Sequence, residues 1–227
     1  MIHIDTEIIK GLKTFDSATV FNAVAEVQGE ANEDYTGPEI RNLLPELGTI
    51  IGYAVTAEAT PLDPTPPDIS WDAFYDYLND TPGPMITVMK DCDERPHRAA
   101  IFGDGMAHLQ KALGVVGAVV DGCVRDLTGI KTAGLPIFGR GLVPGHGPFY
   151  VRSFTETIVV GQVTVNNGDL LLGDMDGVVK VPQDIAEDVL RAAGEIRDRE
   201  SKYFHICDDT HFDYSKVVAW KEDLKKK

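Results

Sequence analysis

Arg125 and Asp126 are adjacent in the sequence and follow a short apolar run, and an arginine and an aspartate at such a place could act together in one site. Residues 118–120 are predicted to form a buried strand, and the pair follows this strand, where α/β folds keep their active groups. Arginine offers a planar donor fork for a carboxylate, and aspartate is an oxygen ligand that Mg²⁺ or Mn²⁺ prefers. The pair therefore predicts an anion clamp beside a metal ligand. The alternative is an aspartate at a helix N-terminus next to a surface arginine.

The residues before this strand open a helix with glycine and aspartate. Gly103, Asp104 and Gly105 precede a periodic apolar stretch, so the first amides of the predicted helix are free to hold an anion. For Asp104 alone, the alternative is a plain N-cap. His108 stands where a dinucleotide fingerprint requires its third glycine, and no P-loop lysine follows, so nucleotide binding is not indicated. We expect the buried face of this helix to carry Met106, Leu109 and Leu113, and its end to be set by Gly114 and Gly117.

Three further residues near this segment are candidates for the site. Asp121 follows the predicted strand, and His146 lies in the Gly/Pro-rich loop 140–148 as a candidate general acid or base. Arg140 in the same loop is a candidate second carboxylate anchor, whereas a solvated histidine is the alternative for His146. Farther on, a group of residues has the composition of a metal site without any established spacing, so no metal is predicted at His205, Cys207, Asp208, Asp209 and His211.

The composition restricts the classes of protein to consider. The 227 residues are 43% hydrophobic with 22 glycines, which is enough for one domain with a full core. A net charge of −15 argues against a site that neutralises nucleic-acid phosphates. Three cysteines without metal-finger spacing fit a reducing compartment. Because we find no basic and apolar leader and no run of about 18 apolar residues, we expect a soluble cytoplasmic protein with no membrane or nucleic-acid partner.

Periodicity and turn residues predict the elements that position these candidates. An aromatic helix capped by Ser70, a helix ended by Gly134, and a later helix opened by a capping box of Asp184 and Glu187 are expected. The predicted helices cover residues 6–12, 16–27, 71–78, 103–113 and 127–133, and a last one begins at residue 184. The predicted strands cover residues 48–59, 84–89, 118–120, 136–139, 157–165, 170–172 and 177–181. Early strands alternate with helices and late strands follow one another, so the fold class is α/β with a mixed sheet or two layered sheets.

Two glycine-rich blocks carry a resemblance to a known family. The first is G-D-x-x-A at residues 103–107 with L-G-x-x-G-x-V-x-D-G-x-x-R-D at residues 113–126, and the second spans residues 168–182. Over about residues 16–203 the chain resembles the family that joins the regulator of ribonuclease activity A (RraA) to the 4-hydroxy-4-methyl-2-oxoglutarate/4-carboxy-4-hydroxy-2-oxoadipate aldolases. The resemblance implies a single domain over residues 1–227 with a tail at 204–227. It further implies a layered β/β/α swivelling-type fold with mixed sheets, an N-terminal helical pair and a C-terminal helix, assembled as a homotrimer or homohexamer.

The resemblance also implies an activity. This is a class II pyruvate aldolase or lyase, dependent on Mg²⁺ or Mn²⁺, that cleaves an anionic 4-hydroxy-2-oxo acid to release pyruvate and often decarboxylates oxaloacetate. By position, Asp126 would ligate the metal, Arg125 would bind the oxygen that becomes the pyruvate enolate, and Asp104 would position water. These roles agree with the physics, because charge on that oxygen develops only as the carbon–carbon bond breaks.

The remaining implied site residues bind the substrate or come from a second subunit. The amides of Gly105 and Met106, next to Gly103, would hold the substrate carboxylate. Glu200 is the match for a glutamate that a neighbouring subunit's C-terminal helix contributes in the aldolases. The chain departs from the aldolases at Gly105 and Met106, where two bulky apolar residues are usual, and in an insertion-rich region at residues 30–82.

Two other functions fit the same resemblance. A non-catalytic RraA-like regulator would bind a ribonuclease or helicase through its oligomer surface, and an acidic surface suits a basic partner. A lyase acting on a sugar-acid-derived 2-oxo acid is the second alternative. Metal-dependent turnover separates both lyases from the regulator.

Overall fold

The computed structural model describes residues 4–224 as seven α-helices and eleven β-strands. The helices are α1 (Thr6–Leu12), α2 (Ser17–Gln28), α3 (Trp71–Asp80), α4 (Asp104–Ala112), α5 (Leu127–Ala133), α6 (Ala186–Cys207) and α7 (Tyr214–Leu224). The strands are β1 (Arg41–Asn42), β2 (Ile50–Thr60), β3 (Met85–Asp91), β4 (Ala100–Phe102), β5 (Val115–Val124), β6 (Ile137–Leu142), β7 (Tyr150–Phe154), β8 (Ile158–Val160), β9 (Val163–Val165), β10 (Leu170–Gly173) and β11 (Val178–Val181).

A nine-stranded mixed sheet forms the framework. Its main path runs β1-β6-β5-β3-β2-β10-β11, with β4 beside β5 and β7 beside β2. The central pairs β2–β3, β3–β5, β4–β5 and β5–β6 are parallel, whereas β1, β7, β10 and β11 pair antiparallel with their neighbours. Strands β8 and β9 form a separate hairpin. The predicted α/β class with a mixed sheet is confirmed.

The layers follow from the two-residue period of the long strand β2. Ile51, Tyr53 and Val55 point to the face covered by helices, where α1, α2 and α6 pack at one end and α3, α4 and α5 at the other. Ile50 and Ala54 point to the opposite face, where they pack against the hairpin of β8 and β9. The sheet therefore lies between a helical layer and a smaller β layer, as the implied β/β/α fold requires.

Local signals set several helix ends as predicted. The Ser70 side chain accepts a hydrogen bond from the Ala73 amide at the start of α3. Gly134 follows α5 with φ of 67°, a left-handed conformation that glycine adopts without strain. The predicted capping box of Asp184 and Glu187 is wrong. Helix α6 begins after a short 3₁₀ turn (Gln183–Ile185), and no side chain caps its first turn.

Two more expectations about helix α4 and the late strands are corrected. Leu109 is 42% exposed, and the fully buried positions of α4 are Ala107 and Gln110, whose side-chain oxygen accepts a hydrogen bond of 2.7 Å from the Thr87 hydroxyl. A buried polar pair thus occupies a place where periodicity favours leucine. The single strand predicted at 157–165 is a hairpin, because residues 161 and 162 turn the chain with positive φ. Gly117 lies inside β5, and the sequence did not predict β1, β4, β7 or α7.

None of the helices within residues 4–224 combines the length and the apolar character that crossing a membrane requires.

The packing of β2 on the start of β3 gives a stability prediction. A Cβ atom on Gly52 would lie 2.8 Å from the Pro84 carbonyl oxygen, so Gly52→Ala must move backbone. We expect the free energy of unfolding to fall by about 1–3 kcal/mol, measured by urea denaturation.

Gly194→Ala is the matched control, since a Cβ there meets nothing within 4 Å in the middle of α6. This variant should gain about 0.5–1 kcal/mol because alanine favours helix more than glycine does. Equal effects of the two substitutions would contradict the close approach at Gly52.

Candidate active site at the carboxyl ends of three parallel strands

The sequence-predicted residues gather where β4, β5 and β6 end. Because parallel strands end at the same edge of a sheet, Gly103 after β4 and Arg125 after β5 become neighbours. The Arg125 amide donates a hydrogen bond of 3.0 Å to the Phe102 carbonyl, which ties the two strand ends together. Helices α4 and α5 start at these ends and point their first turns toward the same space.

A pocket of about 200 Å³ opens at this edge. Six of the residues that line it were singled out from the sequence, and three others complete the lining. The first group is Gly103, Asp104, Gly105, Met106, Arg125 and His146, and the second is Ala100, Phe102 and Phe149. Arg125 also borders a shallower adjoining pocket that contains Asp126 and residues 142–144.

Arg125 and Asp126 form an ion pair at the mouth of the pocket. The Arg125 Nε atom lies 3.2 Å from Asp126 Oδ2, and both side chains remain more than one-third exposed. Asp126 adopts a left-handed backbone conformation with φ of 56°, which aspartate tolerates better than most residues. A Cβ on Gly103 would lie 3.4 Å from Arg125 Nε and 3.5 Å from Asp126 Oδ2. The end of β4 at Gly103 therefore lies at ordinary van der Waals distance from the pair.

Asp104 is the first residue of α4 rather than its N-cap, which is Gly103. Its Oδ1 atom accepts a hydrogen bond of 2.7 Å from the Gly105 amide. Its side chain also packs against α5, because a Cβ on Gly129 would lie 2.5 Å from both Asp104 Cβ and Oδ2. The contact between the two helices therefore fixes the position of the carboxylate, and the Gly105 amide is already satisfied by it.

The carboxylates here can be compared with what a divalent metal needs. Within residues 4–224, no group of three or more histidine, cysteine or acidic side chains is arranged to hold a metal ion, and this includes the region of His205 and His211. Mg²⁺ commonly keeps several waters and binds proteins through only one or two carboxylates. The Asp126 carboxylate, 44% exposed beside the pocket, fits that mode and not a closed protein cage.

Asp121 and Arg140 lie outside the pocket lining. The Asp121 carboxylate is buried, pairs through Oδ1 with Arg140 Nε, and accepts a hydrogen bond of 3.0 Å from the Gly161 amide through Oδ2. These contacts join β5 to β6 and to the turn of the β8–β9 hairpin. Arg140, considered from the sequence as a second carboxylate anchor, is engaged in this ion pair.

Glu200 lies on α6, whose buried face packs on α1 and α2 on the other part of the helical layer. The neighbouring Arg199 pairs with Glu26 of α2. Glu200 is not among the residues that line this pocket, so its part in a neighbouring subunit's site stays a prediction.

Phe149 is one of three pocket residues, with Ala100 and Phe102, that the sequence analysis did not single out. Its ring stacks on Trp71 of α3 with a centroid distance of 4.7 Å, and the Trp71 indole Nε1 donates to the Phe149 carbonyl at 3.1 Å. The Gly/Pro-rich loop that carries His146 was predicted to line a site, and Phe149 follows its last residue directly. The position next to that loop was the available signal.

Comparisons with known proteins place the chain in a family. A family model described as RraA-like, Aldolase/RraA, matches residues 17–180. The uncharacterized protein MJ0644 of Methanocaldococcus jannaschii is 28% identical over 165 residues, which cover 72% of this chain and 75% of that protein. A Halalkalibacterium halodurans protein named "Putative 4-hydroxy-4-methyl-2-oxoglutarate aldolase" is 35% identical over 116 residues, which cover 50% of this chain and 53% of that protein.

A solved structure supports the same assignment at the level of the fold. Streptomyces coelicolor RraAS2, described as an unusual member of the RNase ES inhibitor RraA protein family, matches with a TM-score of 0.72 at 24% identity. The match covers 89% of this chain and 99% of that one. The family model covers the first glycine-rich block, residues 168–180 of the second block, and the strand ends that form the pocket. The chain belongs to the RraA-like family.

Proposed function

We propose that this protein is a divalent-metal-dependent carbon–carbon lyase that cleaves a 4-hydroxy-2-oxo acid to release pyruvate and also decarboxylates oxaloacetate. One observation carries the proposal: Arg125 and Asp126 form a half-exposed pair at the edge of a pocket that also contains Asp104 and the start of α4. This arrangement combines a cation, a hard oxygen ligand and the N-terminus of helix α4 at one cleft.

Asp126 would hold the metal, with water molecules as the other ligands inside this chain. When bound, the ion supplies Lewis-acid polarisation of the substrate's 2-oxo group. Mn²⁺ would serve equally well, because both ions prefer carboxylate and water oxygens. Glu200 of a second subunit would be an additional carboxylate near this position.

Arg125 would stabilise the oxygen that becomes negative as the C3–C4 bond breaks. Its Nε pairs with Asp126, so the two terminal nitrogens of the guanidinium would be the donors to the substrate oxygen. Because the donors are held in place before reaction, they stabilise charge that the ground state lacks.

The first turn of α4 would receive the substrate's C1 carboxylate. Helix α4 runs for nine residues and points its N-terminus into the pocket, next to Arg125. The Gly105 amide donates to Asp104 in the free protein, so the substrate would have to replace this bond. Asp104, released from it, would orient a water that takes or returns a proton at the C4 hydroxyl.

Pyruvate release tests this function directly. Purified protein is given oxaloacetate and, separately, 4-hydroxy-4-methyl-2-oxoglutarate, in Mg²⁺ and again in EDTA, with a lactate dehydrogenase coupled assay. We expect metal-dependent pyruvate from both. Absence of pyruvate in folded, metal-supplied protein would favour the regulator, and co-purification with a ribonuclease would then be the next measurement. Names of relatives support the aldolase class, but the H. halodurans match covers only about half of each chain.

The first mutational prediction concerns the metal ligand. Asp126→Ala should lower kcat for pyruvate release by at least about a hundredfold, because the metal loses its carboxylate ligand. The Mg²⁺ concentration needed for half-maximal rate should rise at the same time. Asp80→Asn, which changes an exposed carboxylate at the end of α3, is the control. Full activity of Asp126→Ala would contradict the metal assignment.

The second prediction separates charge from geometry at the anion clamp. Arg125→Lys keeps the positive charge but removes the planar donor fork, so kcat should fall by about 10²–10³-fold. Circular dichroism and urea unfolding monitor the fold, since the Arg125 side chain is more than one-third exposed. A lysine variant with normal kcat would show that a point charge suffices and that bidentate binding is not used.

The third prediction concerns the contact that positions Asp104. Gly129→Ala would place a Cβ 2.5 Å from the Asp104 side chain and displace its carboxylate. We expect kcat to fall by about 10- to 100-fold, because small displacements of a positioned group are costly. Gly194→Ala in α6 serves as the control for an added methyl group. If Gly129→Ala keeps full activity, Asp104 has no part in the reaction.

A further inference from the structure

We infer that the pocket selects substrates with an apolar, preferably aromatic, substituent at C4, and that Phe149 is the residue that determines this specificity. The inference rests on the proposed function and names its substrate class. Four observations carry it: the charges in the pocket, the conformation of Phe149, the aromatic stack behind Phe149, and the engagement of Arg140.

The pocket contains a single guanidinium. Arg125 is its only lysine or arginine among the described residues, and Asp104 adds a negative charge. Arg140, which the sequence analysis considered as a second carboxylate anchor, is paired with the buried Asp121. A substrate with one carboxylate matches this set of charges, whereas a second carboxylate would lie near Asp104 or against apolar side chains without a cation.

The wall facing the C4 substituent is apolar. The apolar side chains that line the pocket are those of Ala100, Phe102, Met106 and Phe149, and the His146 side chain also lines it. The His146 Nδ1 atom lies 2.7 Å from the Gly147 carbonyl oxygen, so this nitrogen is used inside its own loop. The His146 and Phe149 rings are 6.3 Å apart in an edge-to-face arrangement, and both residues line the pocket.

Phe149 has a backbone conformation that a bulky residue rarely adopts. Its φ is 64°, in the left-handed region that favours glycine. Such outliers persist where surrounding contacts hold them, and they cluster at ligand sites. The unfavourable backbone conformation of Phe149 indicates that surrounding contacts hold its ring at the pocket.

A stack of aromatic residues from the insertion-rich region holds that ring. Trp71 lies between Phe149 and Tyr75, with centroid distances of 4.7 Å and 6.0 Å and nearly parallel planes. The Trp71 ring also meets Phe74 edge to face at 5.9 Å, and Phe74 is fully buried. Helix α3 thus supports the pocket wall from behind, so the inserted segment shapes the substrate site without entering it.

The reaction for such a substrate balances without any added reagent. In 4-hydroxy-2-oxo-4-phenylbutanoate, the C4 hydroxyl loses its proton and the C3–C4 bond breaks. The electron pair of the C3–C4 bond moves to C3, which gives the pyruvate enolate, and C4 becomes the carbonyl carbon of benzaldehyde. The enolate takes up one proton at C3, so the products are pyruvate and benzaldehyde.

The experiment compares three substrates with the full chain in Mg²⁺. These are oxaloacetate, the dianion 4-hydroxy-4-methyl-2-oxoglutarate and the monoanion 4-hydroxy-2-oxo-4-phenylbutanoate, each followed by pyruvate release. We expect kcat/KM for the phenyl substrate to exceed that for the dianionic aldol by about tenfold or more, as expected when a buried charge lacks a partner.

Two variants test the role of Phe149. Phe149→Ala should lower the ratio of kcat/KM for the phenyl substrate over oxaloacetate by about tenfold, mainly through KM, because the ring contact is lost. Phe154→Leu is the matched control: Phe154 packs on the same helix α3 through Phe74 and Tyr77 but does not line the pocket. Its ratio should match that of the unmodified chain.

The outcomes are distinguishable. Metal-dependent pyruvate from oxaloacetate together with a preference for the dianionic aldol would overturn the inference and leave the proposed function standing. The same holds if Phe149→Ala and Phe154→Leu change the ratio equally. If His146→Gln removes a preference for the dianion, then His146 is the second anchor and the inference is wrong. No pyruvate from any substrate would overturn both the proposed function and the inference.

Discussion

Parallel pairing along β5 is the constraint on which the rest of the structure depends. Strands β3, β4 and β6 all pair parallel with it, and every residue of β5 except one is buried. Such a strand carries mainly small or apolar side chains, apart from the buried Asp121 that pairs with Arg140, and polar residues gain access to solvent past its end. The pocket therefore lies at that end of β5, next to the hydrogen bond from the Arg125 amide to the Phe102 carbonyl.

Close backbone approach then determines how the polar groups are arranged. Glycine at 103 leaves room for the Arg125 and Asp126 side chains, and glycine at 129 lets α5 pack against Asp104. These two positions carry no chemistry of their own. Position 129 is constrained because a methyl group there would lie 2.5 Å from the Asp104 side chain, so the packing between α4 and α5 and the position of Asp104 depend on the same contact.

The segment that the sequence analysis interpreted as insertion-rich, at residues 30–82, helps to shape the site. Residues 61–67 hold four prolines, and Ser70 then caps α3, whose Trp71 stacks on Phe149. Residues of the first glycine-rich block, at 103–106 and 125, line one part of the pocket. Phe149, which the stack with Trp71 holds, lines another part. Variation in the inserted segment would alter the second part and leave the first unchanged.

The sequence alone determined the local features, because caps, glycine turns and hydrophobic period act over a few residues. It predicted α3 with its Ser70 cap, the Gly134 end of α5, the central strands and the Gly103, Asp104 and Arg125 group. Only the tertiary structure decided which polar residues share a pocket. Asp121 and Arg140 pair with each other, and Gln110 is buried against Thr87. Phe149 is held at the pocket by its stack on Trp71 of α3. These contacts join residues that are distant in the chain. The free energy of each contact depends on burial and on three-dimensional geometry, which a local sequence pattern does not contain.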